Sequence, residues 1–238
     1  MQKTRLLYLP EFNVVSGDAT VIACRSEEDS CCLILDQTVF YPGGGGQPAD
    51  TGEISVLDTT QPVQEIWMEE PGIVMHRVAN CPSTLTPGAT VHMHVDTPTR
   101  ALHNRLHSAG HVIDLAVHRL GFDWAPTKGA HFPAMSFVEY SSNTPLPEGA
   151  KDKLQEQCNE LIAAGSANTI KFVDAAGHPL TNPGLGHMDA ERVVAYDDFN
   201  LACGGTHVAD IAEIGNLLIK KAKKKKNTVK VSYTLEPL

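Results

Sequence analysis

Residues 89–121 read ATVHMHVDTPTRALHNRLHSAGHVIDLAVHRLG, and the hydrophobic period of the chain changes within this stretch. Apolar and polar residues alternate up to Val95, as they do in a half-buried β-strand. From Pro98 the apolar positions recur every three or four residues, and Gly121 then follows as a typical helix end. The stretch therefore predicts a strand followed by a helix over 98–120, and we place a domain boundary near residue 97.

Residues 1–97 contain short apolar runs separated by turn residues such as Pro-Gly and Gly-Asp. The runs lie at 20–24, 32–35, 52–57, 72–75 and 89–95. Strands spaced this closely favour an antiparallel sheet or a small barrel. We therefore predict a small antiparallel β-barrel-like domain over 1–97.

Residues 98–238 combine helical and strand patterns. A second helix is predicted over 147–164, and strands are predicted at 170–173, 192–196, 214–219 and 229–235. This order predicts helices packed on an antiparallel sheet, so the whole chain belongs to the α+β class.

Composition narrows the class of protein. The chain has 238 residues, a formal net charge of −9 and 42% hydrophobic residues, which is enough apolar content for a packed core. Its apolar runs are too short for a membrane helix, its start lacks a signal-peptide pattern, and its six cysteines are too sparse for a disulfide scaffold. We expect a cytoplasmic protein with no membrane partner.

The basic residues are unevenly distributed. Seven lysines fall within 220–230, whereas residues 1–219 carry 12 basic and 27 acidic side chains. Such a run is either a solvated loop or a contact to a polyanion such as a nucleic-acid backbone. The strand pattern around it predicts that the lysines lie at the tip of a hairpin.

Two pairs of residues have the spacing of metal ligands. His107 and His111 lie one turn apart on the predicted helix, and Cys203 and His207 flank a pair of glycines that lets the backbone bend. Four nitrogen and sulfur ligands favour zinc. Spacing alone also allows His103 to pair with His107.

The type of zinc site stays open at this stage. A metalloprotease needs a glutamate between its paired histidines, and Ser108 and Ala109 stand there instead. Four protein ligands would close a structural site, whereas a catalytic site keeps one position for water.

Four glycines at 43–46 form the third notable motif. No Gly-Lys-Ser/Thr follows them, and no periodic helix begins there, so neither a P-loop nor a dinucleotide site is indicated. The glycines are either a flexible turn or a place where a ligand approaches the backbone, with the Gln47 amide beside it.

The three motifs together resemble the editing domain of alanyl-tRNA synthetase and its free-standing AlaX-type relatives. The segment LDQTVFYPGGGGQPADTG at 35–52 is similar to the family's glycine-rich segment, and the two His/Cys pairs follow in the family's order. The resemblance runs from about residue 30 to the C-terminus and selects His107 with His111 over His103. Gly43 departs from the pattern, because an acidic residue is expected there.

The resemblance implies a trans-editing hydrolase that deacylates mischarged tRNA(Ala), with Ser-tRNA(Ala) the first expected substrate and Gly-tRNA(Ala) the second. It implies one Zn²⁺ per chain held by His107, His111, Cys203 and His207, and a zinc-bound water as nucleophile. The expected substrate-binding residues are Thr38, Gly44, Gly45, Gly46 and Gln47, and the expected tRNA contacts are Arg100, Arg105, Lys223, Lys224, Lys225 and Lys226.

A second, hydrolytic site is needed in this chemistry because one hydroxyl or methyl group changes binding by only about 1–3 kcal/mol. The expected partner is the acceptor end of tRNA(Ala), and the chain is expected to be a monomer or a homodimer. A tRNA-binding module with structural zinc and a zinc hydrolase acting on another acyl substrate are the alternatives. The sequence singles out no further catalytic residue.

Overall fold

The computed structural model describes residues 2–11, 13–26, 29–174, 176–180 and 191–236. The strands are β1 (Arg5–Leu6), β2 (Ser16–Ser26), β3 (Cys31–Leu35), β4 (Gln37–Thr38), β5 (Gly52–Val56), β6 (Thr59–Glu70), β7 (Ile73–Val78), β8 (Thr90–Val95), β9 (Ala125–Phe132), β10 (Met135–Ser141), β11 (Asn168–Val173), β12 (Glu191–Tyr196), β13 (Phe199–Ala202), β14 (Leu217–Lys225) and β15 (Thr228–Leu235). The helices are α1 (Thr97–Arg119) and α2 (Ala150–Ala164), with a 3-10 turn at Ile211–Ile214.

Six strands of the N-terminal half close into an antiparallel barrel in the order β2-β3-β7-β6-β5-β8. Alternate residues point inward, so Leu33, Leu35, Met93 and Val95 are buried in the barrel core. The prediction of a small antiparallel barrel is therefore confirmed.

The C-terminal half packs two helices with antiparallel sheets. One sheet has the order β14-β15-β10-β9, and the other has the order β11-β12-β13. The helices bury Leu106, Ile113 and Leu154 in a core shared with Val229 and Val231 of β15. The α+β class predicted from the sequence is confirmed.

Six strands have no counterpart in the sequence prediction: the short β1, β4 and β13, and the longer β6, β9 and β10. Strand β6 carries a proline and five charged or amide side chains around the short run Ile66-Trp67-Met68, and β9 reads APTKGAHF, so neither segment is predominantly apolar. Strand β10, which reads MSFVEYS, was not predicted either. These strands form because their neighbours supply the ladder partners and the buried face, which local hydrophobicity does not reveal.

Helix α1 begins where the period change predicts it. The Asp96 side chain accepts a hydrogen bond from the Thr99 amide at 3.0 Å, and Pro98 occupies the first turn. Helix α2 begins three residues later than predicted, because Gly149 takes a left-handed conformation with φ 66° just before it. Among the described residues, no helix is long and apolar enough to cross a membrane.

The two largest hydrophobic clusters divide near residue 97, one within the barrel and one within the helical half. A buried ion pair joins them, because the Arg100 guanidinium of α1 contacts both carboxylate oxygens of Asp50 and donates to the Val39 carbonyl at 2.8 Å. Arg100 is only 1% exposed, so the prediction that it contacts a tRNA phosphate is inconsistent with its position. The assignment of 1–97 and 98–238 as two domains stays a prediction.

Candidate metal centre

The histidine pair of α1 lies on the buried side of the helix. His107 is 2% exposed, His111 is partly buried, and their ring centroids are 4.8 Å apart. This is the spacing expected for residues one helical turn apart. Both rings therefore face the segment that follows β13.

Cys203 and His207 come from that segment, and Gly205 brings it against the helix. A Cβ atom on Gly205 would lie 2.2 Å from Cε1 of His107 and 2.8 Å from Oε1 of Gln47. Only glycine permits this approach. The glycine pair noted in the sequence thus has a steric role at its second position.

The structure brings the four predicted ligands together. One ligand atom from each of His107, His111, Cys203 and His207 lies within 4.8 Å of the others. The Cys203 Sγ is 3.5 Å from Nε2 of His107 and 3.5 Å from Nε2 of His207. A tetrahedral zinc ion, with bonds of about 2.3 Å to sulfur and about 2.0 Å to nitrogen, holds such atoms roughly 3.5 Å apart.

His103, the alternative partner of His107, lies outside this group. Among the described residues its Nδ1 is buried without a hydrogen-bond partner. The four residues that could hold a metal ion are therefore the set that the resemblance implied.

Gln47 fixes the orientation of His107. The Oε1 of Gln47 lies 2.7 Å from Nδ1 of His107 and accepts the Thr206 amide at 3.0 Å, while Nε2 of Gln47 donates to the Thr206 hydroxyl at 2.7 Å. The hydroxyl in turn contacts Asn104. With Nδ1 as the donor, Nε2 of His107 is left free for a metal. Gln47 is 2% exposed, so its expected contact with substrate is replaced by this positioning role.

Asp114 lies beside His111, as Gln47 lies beside His107. Its Oδ2 lies 3.5 Å from Nδ1 of His111, and its Oδ1 accepts the Tyr140 hydroxyl at 2.6 Å. Both ring nitrogens of His111 are buried with no hydrogen-bond partner among the described residues, so the contact with Asp114 is an ion-pair contact and not a hydrogen bond. A histidine that binds zinc needs a ring nitrogen that no other group occupies, and a nearby carboxylate helps to orient the ring.

The electrostatics of the centre suit a cation. Burial and the neighbouring rings lower the pKa of His107 well below its usual value, and burial with the charge of His111 does the same for His207. Burial alone would lower the pKa of His111, but the interactions with Asp114 and Cys203 outweigh it and raise the pKa to about 10. Burial would raise the pKa of the Cys203 thiol, but its interaction with His111 outweighs burial and lowers it. A bound dication would replace the proton shared by this pair.

Arg192 holds the ligand loop in place and was missed by the sequence analysis. Its Nη1 donates to the carbonyls of Cys203 at 2.8 Å and Gly205 at 2.7 Å, and its Nε donates to the Leu9 carbonyl at 2.7 Å. An arginine inside a strand pattern gives no signal of such a role.

The glycine-rich segment makes a tight turn beside the metal ligands. Gly44 and Gln47 exchange both backbone hydrogen bonds, at 3.1 and 2.8 Å. Gly46 has φ 82° and packs so closely on β9 that a Cβ atom would lie 2.3 Å from the Gly129 carbonyl. The carbonyl of Gly46 also accepts the His131 amide at 2.8 Å. The turn is thus anchored to the C-terminal half and is not a flexible loop.

A cavity of about 740 Å³ opens between the two halves. This volume is within the range of small-molecule sites. Its walls include Gly43 and Gly45 of the turn, the ligands His107, His111 and Cys203, and Lys128, Glu139, His131 and Arg192. The candidate metal centre therefore lies in the wall of a cavity and is not sealed in a core.

His131 is a fourth histidine at the centre, and the sequence did not indicate it. Its ring stacks on His107 with centroids 4.6 Å apart, and its Nδ1 lies 2.6 Å from the Tyr233 hydroxyl. Because that hydroxyl donates to the Leu106 carbonyl at 2.9 Å, it accepts from Nδ1 of His131. Burial and the charge of His111 lower the pKa of His131 to about 3, so the ring is neutral. Its other nitrogen is an acceptor.

Thr38 lies away from this cavity. Its hydroxyl is fully buried in the barrel, 2.8 Å from Nε2 of His76, and accepts the Phe40 amide at 3.1 Å. The described cavity walls do not include Thr38. Its expected contact with a serine hydroxyl is therefore not supported by its position.

The remaining residues predicted to contact tRNA differ in their exposure and in their hydrogen bonds. Lys223 and Lys225 are exposed on β14, and Lys226 forms the turn to β15. Lys224 instead donates to the carbonyls of Ser142 and Thr144. Arg105 donates to the Ile214 carbonyl at 2.9 and 3.0 Å, so it braces the 3-10 turn.

Residues 11–99 match the family model of class II (A) tRNA synthetases. The chain is 30% identical over 224 residues to an alanine–tRNA ligase of Halobacterium salinarum, a match that covers 91% of this chain and 24% of that ligase. It is 30% identical over 243 residues to the alanine–tRNA ligase of Methanococcus vannielii, covering 94% of this chain and 25% of that ligase. These matches fit an AlaX-like editing domain.

The chain spans about a quarter of the length of the ligases it matches. The family model covers the barrel and the glycine turn of this chain, whereas the pairwise matches extend through most of the half that contains the candidate ligands. The resemblance that three short motifs indicated is thus confirmed over most of the chain.

Proposed function

We propose that the protein is an aminoacyl-tRNA deacylase that removes the wrong amino acid from tRNA(Ala). Ser-tRNA(Ala) is the first proposed substrate and Gly-tRNA(Ala) the second. The reaction is hydrolysis of the ester that joins the amino acid to the terminal ribose. The enzyme works in the cytoplasm, as a monomer or homodimer.

One observation carries this proposal: three of the four candidate metal ligands, His107, His111 and Cys203, line the cavity that the glycine turn also lines. A purely structural zinc would need no such opening. The cavity is large enough for an aminoacyl group with part of its ribose.

His107, His111, Cys203 and His207 would hold Zn²⁺ in this proposal. When bound, the ion supplies Lewis acidity, which polarises an ester carbonyl or lowers the pKa of a water molecule. Gln47 and Asp114 keep the histidine nitrogens directed at the ion. Arg192 holds the Cys203 carbonyl by a hydrogen bond of 2.8 Å and so fixes the backbone of the ligand loop.

The other cavity residues bind and orient the substrate. Gly43 and Gly45 present backbone without side chains, so a small amino acid can approach closely. The acceptor nitrogen of neutral His131 takes a hydrogen bond from the serine hydroxyl or from the attacking water. Because the Thr38 hydroxyl is already bonded to His76, selection of serine does not depend on it.

The open face of the four-stranded sheet provides the tRNA contact in this proposal. Lys223 pairs with Lys230 across β14 and β15, and Lys230 pairs with Glu139 of β10, which pairs with Lys128 of β9. Lys230 is already paired with Glu139 at 3.1 Å, so the exposed Lys223 and Lys128 are the lysines of this row that meet tRNA phosphates in the proposal. Lys128 also lines the cavity, so the basic row ends at its mouth.

The decisive experiment incubates the protein with Ser-, Gly- and Ala-charged tRNA(Ala) and follows the loss of each amino acid. The matched variants are His107→Ala and His118→Ala, since His118 lies on the same helix but is exposed. We expect loss of Ser or Gly but not Ala, abolished by His107→Ala and unchanged by His118→Ala. Equal loss of Ala and Ser, or full activity of His107→Ala, contradicts the proposal.

A tRNA-binding module with structural zinc is distinguished by Cys203→Ala. If zinc were only structural, this variant would unfold and the wild type would show no deacylase activity. The proposed enzyme instead loses activity while its circular dichroism stays native. Hydrolysis of free acyl esters at the same rate as charged tRNA would indicate a different zinc hydrolase.

A further inference from the structure

A second group of potential metal ligands lies in the barrel, apart from the centre described above. Cys24 of β2, Cys31 of β3 and Cys81 just after β7 bring their Sγ atoms within 4.8 Å of one another. The Sγ atoms of Cys24 and Cys81 are 3.8 Å apart. None of the three contributes to the proposed hydrolysis.

The strand register brings these cysteines to one end of the barrel. Ser26 pairs with Cys31 across β2 and β3, so Cys24, two residues before Ser26, shares the face of Cys31. Cys31 pairs on its other side with Val78, the last residue of β7. Three residues later the chain reaches Cys81. The barrel itself thus preorganises the group.

The spacing fits a tetrahedral metal thiolate. Bonds of about 2.3 Å from zinc to sulfur at the tetrahedral angle place two sulfurs roughly 3.8 Å apart. The Cys24 to Cys81 distance already has this value. Little movement is needed for binding, which favours affinity because the ordering cost is small.

The group is also accessible from solvent on one side. Cys31 is fully buried, Cys24 is partly buried and Cys81 is exposed. The Ser26 hydroxyl lies 3.4 Å from the Cys81 sulfur. A cation can therefore enter past Cys81, and a water molecule or the Ser26 oxygen can complete four ligands.

We propose that Cys24, Cys31 and Cys81 form a second metal site that binds a thiophilic divalent cation such as Zn²⁺ or Cd²⁺. Three thiolates favour soft cations over Mg²⁺ or Ca²⁺. Binding releases the thiol protons, so affinity falls in acid. The site is independent of the proposed deacylase function, since no residue is shared.

The test titrates the full-length, reduced, metal-free protein with Cd²⁺ and follows the sulfur-to-cadmium charge-transfer absorption. The Cys203→Ser variant serves as the background, because it removes the thiolate of the first centre. We expect this variant to show the absorption, saturating at one Cd²⁺ per chain. Adding Cys81→Ser should weaken Cd²⁺ binding by about tenfold or more. Substituting a residue that only orients a metal ligand already causes a loss of this size.

Cys32→Ala in the same background is the matched control. Cys32 is the next residue of β3, but it packs with Ile34 and Met75 on the opposite face of the strand. We expect it to leave the absorption unchanged. No thiolate absorption in the Cys203→Ser protein, or the same binding after Cys81→Ser, overturns the proposal. A Cys24–Cys81 disulfide found under reducing conditions, with no cadmium uptake, also overturns it.

Discussion

At the scale of single residues, the function of the candidate centre depends on residues that do not bind metal. Gln47 is the clearest case, because its amide is fully committed to His107 and Thr206. We predict that Gln47→Leu lowers zinc affinity by about ten- to a hundredfold, since the orientation of His107 is no longer fixed. Competition with a chromophoric chelator measures this change.

The control for this prediction is Gln64→Leu. Gln64 lies on β6 with its side chain exposed, so the same change there should leave zinc affinity unaltered. Equal affinities for the Gln47→Leu variant and the wild type would show that His107 needs no orienting partner.

His76 gives a prediction about pH. Burial lowers its pKa to about 4, while its ring bridges the Thr38 hydroxyl and the Leu33 carbonyl. Below pH of about 6.5 the unfolded chain takes up a proton that the folded chain refuses, so the free energy of unfolding falls with acid. The part of the free energy of unfolding that depends on neutral His76 is complete above pH 6.5. It decreases by up to about 3 kcal/mol as the pH falls to 4.

Urea unfolding of the wild type and of His76→Gln checks this dependence. The amide can keep both hydrogen bonds but does not titrate. We expect the two free energies of unfolding to converge as the pH falls from 6.5 to 4. Parallel curves over this range would mean that His76 is protonated in the folded barrel.

Residue roles were predictable only where chemistry is local. The helical spacing of His107 and His111 and the bend at Gly204 and Gly205 are properties of short segments, so the sequence pointed to them. The same sequence could not separate substrate contacts from buried partners. Thr38 and Gln47 are buried because distant strands cover them, and burial is a tertiary property.

At the scale of elements, strand alternation divides the lysine run into two sets. Lys221, Lys223 and Lys225 are exposed on one face of β14, whereas Lys224 faces the buried side with Val229 opposite it. We predict that Lys223→Gln with Lys225→Gln weakens tRNA binding and reduces its dependence on log salt by about one for each lost phosphate contact.

Lys224→Gln should behave differently. It removes the hydrogen bonds to the Ser142 and Thr144 carbonyls, so we expect lower stability, by about 1 kcal/mol, and an unchanged salt slope. Lys151→Gln, on the exposed side of α2, is the control for charge alone. Filter binding at several salt concentrations separates these cases, and an equal loss for Lys151→Gln would indicate nonspecific attraction.

Elements were predictable in proportion to their own apolar content. Helix α1 and strand β8 carry a clear hydrophobic period, strand β3 is a continuous apolar run, and their positions were expected. Strands β6 and β9 are mostly polar. They are held by hydrogen bonds to neighbours distant in sequence, which no local window contains.

At the scale of the whole molecule, the Arg100–Asp50 ion pair connects the barrel to the helical half. Both side chains are almost fully buried. We predict that Arg100→Met lowers the free energy of unfolding by about 3–5 kcal/mol, because it leaves the Asp50 carboxylate buried without its partner. Chemical denaturation measures the loss.

Two further variants check the cause. Arg119→Met removes an exposed arginine that pairs with Asp198, and it should cost no more than about 1 kcal/mol. Combining Arg100→Met with Asp50→Asn should cost less than the sum of the single changes. Additive losses would show that the pair does not couple the two halves.

The overall architecture was predictable to the level of class, since the change from strand to helix period near residue 97 is a strong local signal. The contacts between the two halves were not predictable from the sequence. The cavity arises because the glycine turn of the barrel packs on β9 and the Cys203 loop packs on α1. No pattern in the sequence marks the residues that form these contacts.

The bond between Gln47 and Thr206 joins residues 159 positions apart. A contact of such long range closes a very large loop, and its entropy cost has to be met by structure formed earlier. We expect the metal centre to form late in folding, because Cys203 and His207 follow both the barrel and α1 in the sequence. A growing chain on the ribosome would have a complete barrel and helix well before it could bind zinc there, so metal uptake would mark a finished molecule.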